Sequence, residues 1–271
     1  MTSEAAAERW IIRFRREAGR AETRLLCFPH AGGAASYFHP LASAVRTHGM
    51  DVAAVQYPGR QERRREPLAT TVDELVDRAL PSLAQYVDSR TVLFGHSMGA
   101  VVAFEAARRL ESEHGIVPMG LIASGRRGPL ATRSEQLHLA DDAAFVARIR
   151  QLSGTDARLF DDPEMLALLL PALRTDYRAI ETHRHRSGTG LLCPLTVFVG
   201  VEDPQATVEE AQEWRHHTQA DYRFRSFPGD HFYLRDWPVH VVDELVAAVG
   251  LFERSAATVA SPQAGVTLDR R

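Results

Sequence analysis

Short apolar runs that alternate with helical patterns constrain the fold of this chain more than any other feature of its sequence. The apolar runs lie at residues 24–28, 51–57, 91–94, 119–124, 195–200 and 222–227. Helical patterns fill most of the intervals, at 37–47, 72–86, 98–114 and 239–252. Buried parallel strands and their crossover helices produce this pattern. The alternation predicts a doubly wound α/β sheet.

One interval departs from this alternation. Between the runs at 119–124 and 195–200, two helical patterns occur at 141–152 and 163–181 without a strand pattern. A loop of that length without secondary structure is uncommon in a compact domain, so we expect a helical lid insertion at about residues 130–188. Its leucines either line an apolar channel or pack the insertion against the core.

The composition indicates one soluble globular domain, at residues 1–254. Of the 271 residues 45% are hydrophobic and 25% are charged, and the net charge is -3. Such a balance provides no global field that would recruit nucleic acid or a membrane surface, and no apolar stretch is long enough to span a bilayer. Residues 255–271 are small and polar without periodicity, so we expect a disordered tail.

Cysteine usage suggests the cellular compartment. Cys27 and Cys193 each lie within an apolar run, where a free thiol behaves as a small buried hydrophobe. Because the sequence has neither a disulfide framework nor a recognisable secretory leader, we expect a protein of the reducing cytoplasm. We also expect a monomer.

The segment Gly95-His96-Ser97-Met98-Gly99 matches the pattern G-x-S-x-G. It directly follows the apolar run at 91–94 and opens the helical pattern at 98–114. In a nucleophile elbow the serine occupies a strained strand-to-helix turn, and the residues two before and two after it must be very small. Both are glycine here. The context favours Ser97 as a nucleophile over a turn that merely closes a βα unit, and it predicts an α/β-hydrolase fold with a mostly parallel central sheet and helices on both faces.

A serine hydroxyl requires an adjacent base, and in this fold an acid and then a histidine follow the serine along the chain. His231 lies in a glycine-containing loop between the last strand and the last helix. Asp203 lies in the loop after the run at 195–200, where Glu202 is the reserve candidate, and Asp230 is expected to make a local turn contact. We therefore predict that Ser97, His231 and Asp203 form a catalytic triad in which the acid orients the imidazole.

Four further histidines, His183, His185, His216 and His217, raise the question of a metal site. They have no cysteine or carboxylate partner at ligand spacing. We interpret them as exposed surface and expect no metal.

Acyl transfer also requires donors for the developing oxyanion. The backbone N–H of Met98, directly after the nucleophile, is one candidate. The second is the N–H of Ala31, with Gly32 as the alternative, in a loop similar to the HGGG-type loop of esterases. His30 precedes the serine and is expected to support this loop.

Four segments together resemble the stand-alone type II thioesterases of polyketide synthases and nonribosomal peptide synthetases. They are Cys27-Phe28-Pro29-His30-Ala31-Gly32-Gly33, Gln56-Tyr57-Pro58-Gly59-Arg60, Phe94-Gly95-His96-Ser97-Met98-Gly99 and His231-Phe232-Tyr233-Leu234. The resemblance implies hydrolysis of acyl groups from the phosphopantetheine arm of acyl carrier or peptidyl carrier domains, which clears stalled chains. It also implies that no cofactor is needed, since the pantetheine belongs to the substrate.

Two basic segments have alternative interpretations. The segments are the run Arg60-Gln61-Glu62-Arg63-Arg64-Arg65 and the pair Arg126-Arg127. Both could bind the acidic surface or the phosphate of a carrier domain. Alternatively, the run forms a solvated loop that Glu62 and Glu66 neutralise. Three alternatives to a carrier-directed hydrolase also stay open: an esterase acting on small esters, an acyl transferase or cyclase, and a non-catalytic carrier-binding scaffold.

Overall fold

The computed structural model describes residues 9–14, 23–131, 133–152, 161–185 and 188–260. Within these ranges the strands form one sheet in the order β1-β3-β2-β4-β5-β6-β7. Strands β2 to β7 are parallel, and β1 pairs antiparallel with β3 at one edge. The strands are β1 (Ile11–Arg13), β2 (Thr23–Phe28), β3 (Met50–Val55), β4 (Thr91–His96), β5 (Gly120–Ser124), β6 (Leu195–Gly200) and β7 (Tyr222–Phe227).

The helices are α1 (His39–Ala44), α2 (Val72–Tyr86), α3 (Met98–His114), α4 (Asp142–Gln151), α5 (Pro163–Thr182), α6 (Val208–Gln212) and α7 (Val239–Ala260). Helices α1 to α6 lie between strands along the chain, and α7 follows β7. The predicted helix at 37–47 is shorter than expected, because 3-10 turns precede and follow α1. The sequence patterns did not predict β1 or α6, because both elements are too short to show a periodic pattern.

The hydrophobic core lies on both faces of the sheet, because successive side chains of a strand point in opposite directions. In β2, Leu26 and Phe28 pack with α2 and α3 on one face. Leu25 and Cys27 pack with α1 and α7 on the other face. Cys27 and Cys193 are buried free thiols, as predicted. Helices on both faces of a mostly parallel sheet match the predicted architecture.

Between β5 and β6 the chain forms α4 and α5, where the sequence predicts the lid. Leu173 of α5 packs with Phe145 and Ile149 of α4, and Leu166 and Leu170 contact the same cluster. These leucines therefore pack the insertion together. Residues 132, 153–160 and 186–187 of the predicted lid lie outside the described residues.

Helix α7 corrects the predicted boundary of the tail. It continues to Ala260, so residues 255–260 are helical rather than part of a disordered segment. This stretch contains several alanines, which have the highest helix propensity, and it follows a long amphipathic helix. Residues 261–271 of the predicted tail lie outside the described residues. Among the described residues, none of the helices has both the length and the apolar character that crossing a bilayer requires.

Candidate active site

The site lies at the carboxyl edge of the sheet, where the loops after parallel strands meet. Ser97 follows β4, Asp203 follows β6 and His231 follows β7. The Nε2 atom of His231 is 2.9 Å from the Oγ atom of Ser97. The Nδ1 atom of the same ring lies 2.9 and 2.8 Å from the two carboxylate oxygens of Asp203. The structure thus brings together three side chains that are far apart in sequence.

Ser97 has the backbone geometry of a strained turn, with φ 56° and ψ -118°. Its N–H donates to the carbonyl of Ser124 at 2.8 Å, which ties the turn to β5. A Cβ atom on Gly95 would lie 2.2 Å from the carbonyl oxygen of Gly99, and one on Gly99 would lie 2.0 Å from that of Phe28. Both flanking positions therefore require glycine.

Asp203 is the carboxylate that faces the imidazole. It is 4% exposed, and its Oδ1 atom also accepts the N–H of Gln205 at 2.7 Å, which fixes its orientation. Glu202, the reserve candidate, is exposed to solvent. Asp230 accepts the N–H of Phe232 at 2.8 Å, which is the local turn contact expected of it.

Two backbone amides are available near Ser97. Met98 is the first residue of α3, so its N–H has no acceptor within the helix. The N–H of Gly32 donates to Oδ2 of Asp176 at 2.7 Å and is therefore occupied. The N–H of Ala31 makes no hydrogen bond within the described part of the chain. Ala31 and Met98 both line the cavity above Ser97, so Ala31 fits the second donor position better than Gly32 does.

His30 packs inside the loop that carries Ala31. Its ring lies edge-on to Tyr37, with centroids 4.7 Å apart, and to Phe232 at 5.0 Å. Burial, and to a lesser extent the neighbouring His231, lowers the pKa of His30 to about 3. The ring is therefore neutral at physiological pH and fills space beneath the loop.

The cavity above Ser97 has a volume of about 340 Å³. The leucines of α5 at 166–170 are absent from its lining among the described residues. Its walls combine apolar groups with several charged and polar side chains, which are Arg126, Glu135, Gln136, Arg148, Tyr177, Glu181 and Gln205.

A family model described as "Thioesterase domain" matches residues 23–249, which include the whole site. The chain belongs to the thioesterase domain family. The chain is 48% identical over 233 residues to the "probable cadicidin biosynthesis thioesterase" of Streptomyces griseus, a match that covers 86% of this chain and 64% of that protein. It is 46% identical over 228 residues to thioesterase PikA5 of Streptomyces venezuelae, a match that covers 84% of this chain and 80% of PikA5.

The chain is also similar to a solved structure, "the type II thioesterase BorB from the borrelidin biosynthetic cluster". The sequences are 41% identical, the TM-score is 0.78, and the match covers 92% of this chain and 98% of BorB. The predicted resemblance to type II thioesterases and the predicted α/β-hydrolase fold are therefore confirmed.

The histidines outside the site correct one prediction. The side chains of His185 and His217 are buried rather than exposed, because both rings pack against Phe104 of α3. The Nδ1 atom of His185 lies 3.1 Å from a carboxylate oxygen of Glu105. Burial lowers the pKa of His217 to about 4. Within the described ranges, no group of three or more histidine, cysteine or acidic side chains is arranged to hold a metal ion.

The basic run at residues 60–65 is only partly on the surface. Arg60 is buried in an ion pair with Asp176. Arg63 is buried between the carbonyl of Gln56 and the carboxylate of Glu66, each 2.6 Å away. The alternation of buried and exposed positions arises because a 3-10 turn begins at Gln61.

The remaining arginines of the two basic segments differ in their exposure to solvent. Arg64 and Arg65 are exposed to solvent, whereas Arg127 is buried and pairs with Glu135 at 2.6 Å. Arg126 lines the cavity above Ser97 instead of the outer surface. A carrier-docking surface built from the predicted basic segments is therefore limited to Arg64 and Arg65.

Proposed function

We propose that this chain hydrolyses thioesters that join acyl groups to the phosphopantetheine arm of acyl carrier or peptidyl carrier proteins. In polyketide or nonribosomal peptide synthesis, this hydrolysis serves an editing role that clears stalled chains from the carrier. The observation that carries the proposal is the 2.9 Å contact between Ser97 Oγ and His231 Nε2 in a chain of the thioesterase family. The similar proteins include a biosynthetic thioesterase and a type II thioesterase, which supports the substrate class.

In the first half of the proposed reaction, Ser97 Oγ attacks the thioester carbonyl while Nε2 of His231 takes the hydroxyl proton. The N–H groups of Met98 and Ala31 donate to the oxyanion that develops. The carbon–sulfur bond then breaks, and the pantetheine thiolate leaves with the proton held by His231. The product of this half is an acyl-serine.

In the second half, His231 accepts a proton from water, and the resulting hydroxide attacks the acyl-serine carbonyl. The same two amides stabilise the second oxyanion. His231 returns the proton to Ser97 Oγ as the free acid leaves. Asp203 keeps the proton on Nδ1, so that Nε2 presents its lone pair to each donor. This cycle needs neither a metal ion nor an organic cofactor. The monomeric state and the cytoplasmic location stay predictions.

The substrate class is tested by comparing kcat/KM for one acyl group on three leaving groups: a carrier protein, coenzyme A and a simple aryl alcohol. We expect the carrier-bound thioester to be the best substrate, because a carrier offers binding energy that the small esters lack. A higher kcat/KM for the aryl ester would favour a general esterase. Identification of the products by mass spectrometry separates hydrolysis from acyl transfer or cyclisation.

A docking role for the exposed basic pair predicts a selective effect. Changing both residues to glutamate, Arg64→Glu with Arg65→Glu, should raise KM for a carrier-bound acyl group about tenfold, because each charge meets an acidic partner surface. KM for an N-acetylcysteamine thioester should not change. The matched control is Arg46→Glu, an exposed arginine just before β3, at the opposite edge of the sheet. Equal responses of both substrates would rule out docking at this pair.

A further inference from the structure

Asp176 is a buried carboxylate of α5 that contacts the loop at residues 29–33. Its Oδ2 atom accepts the N–H of Gly32 at 2.7 Å, and the same oxygen pairs with the guanidinium of Arg60. Asp176 is 4% exposed and Arg60 is 8% exposed. We infer that Asp176, held in place by Arg60, is a positioning residue that fixes the oxyanion-binding amide of Ala31. This inference rests on the proposed function, because it assigns a role within the same hydrolytic site.

The geometry of the loop links the Asp176 contact to Ala31. The N–H of Gly32 belongs to the peptide group that follows Ala31, and the N–H of Ala31 belongs to the peptide group that precedes it. Two successive peptide groups share only the φ and ψ angles of the residue between them. Fixing the second group therefore restricts rotation of the first, and the N–H of Ala31 stays directed at the cavity.

Helix α5 also packs directly on this loop. Gly32 has φ 75°, and a Cβ atom there would lie 2.5 Å from Cδ1 of Leu173. Leu173 precedes Asp176 by about one helical turn, so both side chains lie on the same face of α5. The loop is thus restrained by an apolar contact and a charged hydrogen bond that come from one helix.

Arg60 connects the carboxylate to the other end of the loop. Its Nη1 atom donates to the carbonyl of Pro58 at 2.6 Å, and its guanidinium lies 5.4 Å from the centroid of the Tyr57 ring. The hydroxyl of Tyr57 donates in turn to the carbonyl of Pro29 at 3.2 Å. The loop is therefore anchored at Pro29 and at Gly32, on the two sides of Ala31.

The ion pair also has an electrostatic consequence for catalysis. A lone carboxylate next to the oxyanion-binding loop would oppose the negative charge that develops in the transition state. The Arg60 guanidinium neutralises that carboxylate while leaving it able to accept the N–H of Gly32. Removing the charge of Asp176 leaves Arg60 buried without its partner, which is strongly unfavourable and should shift the loop.

The test is Asp176→Asn, which keeps the side-chain shape and removes the charge. We expect kcat to fall about 10²-fold, the size of effect caused by small misplacement of catalytic groups, with KM nearly unchanged. The fall should be the same for an N-acetylcysteamine thioester and an aryl ester, because every substrate uses the same oxyanion site. The inhibition constant of a trifluoromethyl ketone, which forms an anionic adduct with the serine, should rise in parallel.

The matched control is Asp142→Asn. Asp142 pairs with Arg174 of α5 at 2.7 Å, so this variant also removes a carboxylate charge from an ion pair of the same helix. Asp142 is largely exposed, and its described contact is with Arg174 rather than with the loop at residues 29–33, so kcat should stay within about twofold of the wild-type value. The thermal unfolding midpoint of both variants reports any effect on stability.

Several outcomes would overturn the inference. A folded Asp176→Asn variant with kcat within about twofold of wild type, or with a change confined to KM or to the unfolding midpoint, would leave Asp176 with a structural role only. If the wild-type protein cleaves aryl esters but not carrier-bound thioesters, the proposed substrate is wrong and the positioning role is still measured with the ester. A wild-type protein inactive on every substrate would overturn both proposals.

Amide hydrogen exchange of the wild-type protein gives a second test that does not depend on the folding of a variant. The N–H of Gly32 is bonded to a buried carboxylate, so it should exchange slowly. The N–H of Ala31 faces the cavity and should exchange faster. The reverse order of protection would overturn the inference.

Discussion

Replacing Ser97 with alanine is expected to lower kcat about 10⁶-fold, since removal of the nucleophile of a triad leaves only the oxyanion donors and substrate binding. Among the described residues the side chain of Ser97 forms a hydrogen bond with His231, so alanine removes the reacting atom and that contact. The measurement is kcat on an acyl-N-acetylcysteamine thioester. Mass spectrometry of the wild-type protein should also detect an acylated Ser97, which the variant cannot form.

Folding and carrier binding should survive in Ser97→Ala. Alanine carries a Cβ atom like serine, so it adopts the backbone conformation at φ 56° with similar strain. The matched control is Ser43→Ala, an exposed position on α1, which should keep wild-type activity. If the Ser97→Ala protein kept its cellular role, the protein would be a scaffold and the hydrolytic mechanism would be excluded.

The nucleophile elbow could be predicted from sequence because its requirements are local. A buried strand, two glycines around a serine and a helix of small residues all lie within residues 91–114, and the steric clashes that demand Gly95 and Gly99 confirm the reason. His231 and Asp203 were found because the topology of a parallel sheet sends the loops after its strands to one edge. That inference requires only the order of the strands.

Contacts between distant segments could not be predicted in the same way. The run at 60–65 looked like a surface charge cluster, yet Arg60 is buried because its partner, Asp176, lies on a helix of the insertion. His185 and His217 were interpreted as exposed because nothing local indicates that α3 packs over them. Burial of a charged side chain depends on a partner distant in sequence, and a single sequence does not specify that pairing.

One sequence signal did mark Asp176. On α5 the buried positions include Leu173, Asp176, Ala179 and Ile180, which recur at helical spacing. An acidic residue within such an apolar face is rarely buried unless it has a partner. An acidic residue on the apolar face of a predicted helix therefore distinguishes Asp176 from the exposed acidic residues of the insertion. This pattern does not identify its partners, Arg60 and Gly32.

The contact between Asp203 and the Nδ1 atom of His231 supports the second large prediction. Asp203→Asn should lower kcat about 10⁴-fold while the fold is preserved. Asp203 accepts the N–H of His231 Nδ1, which leaves the lone pair of Nε2 facing Ser97. An asparagine amide can donate to Nδ1 instead. The imidazole would then carry its proton on Nε2 and could not accept one from the serine.

The matched control for this change is Glu202→Gln. Glu202 is the adjacent carboxylate, but it is exposed, whereas Asp203 is buried against the imidazole ring. We expect kcat of Glu202→Gln to stay within about twofold of wild type. The measurement is kcat on a small thioester, together with the thermal unfolding midpoint of both variants. A loss in Glu202→Gln comparable to that in Asp203→Asn would mean that general charge at this loop, rather than orientation of one tautomer, supports the reaction. A loss in Asp203→Asn alone would assign the role of the acid to Asp203, whose carboxylate contacts the ring.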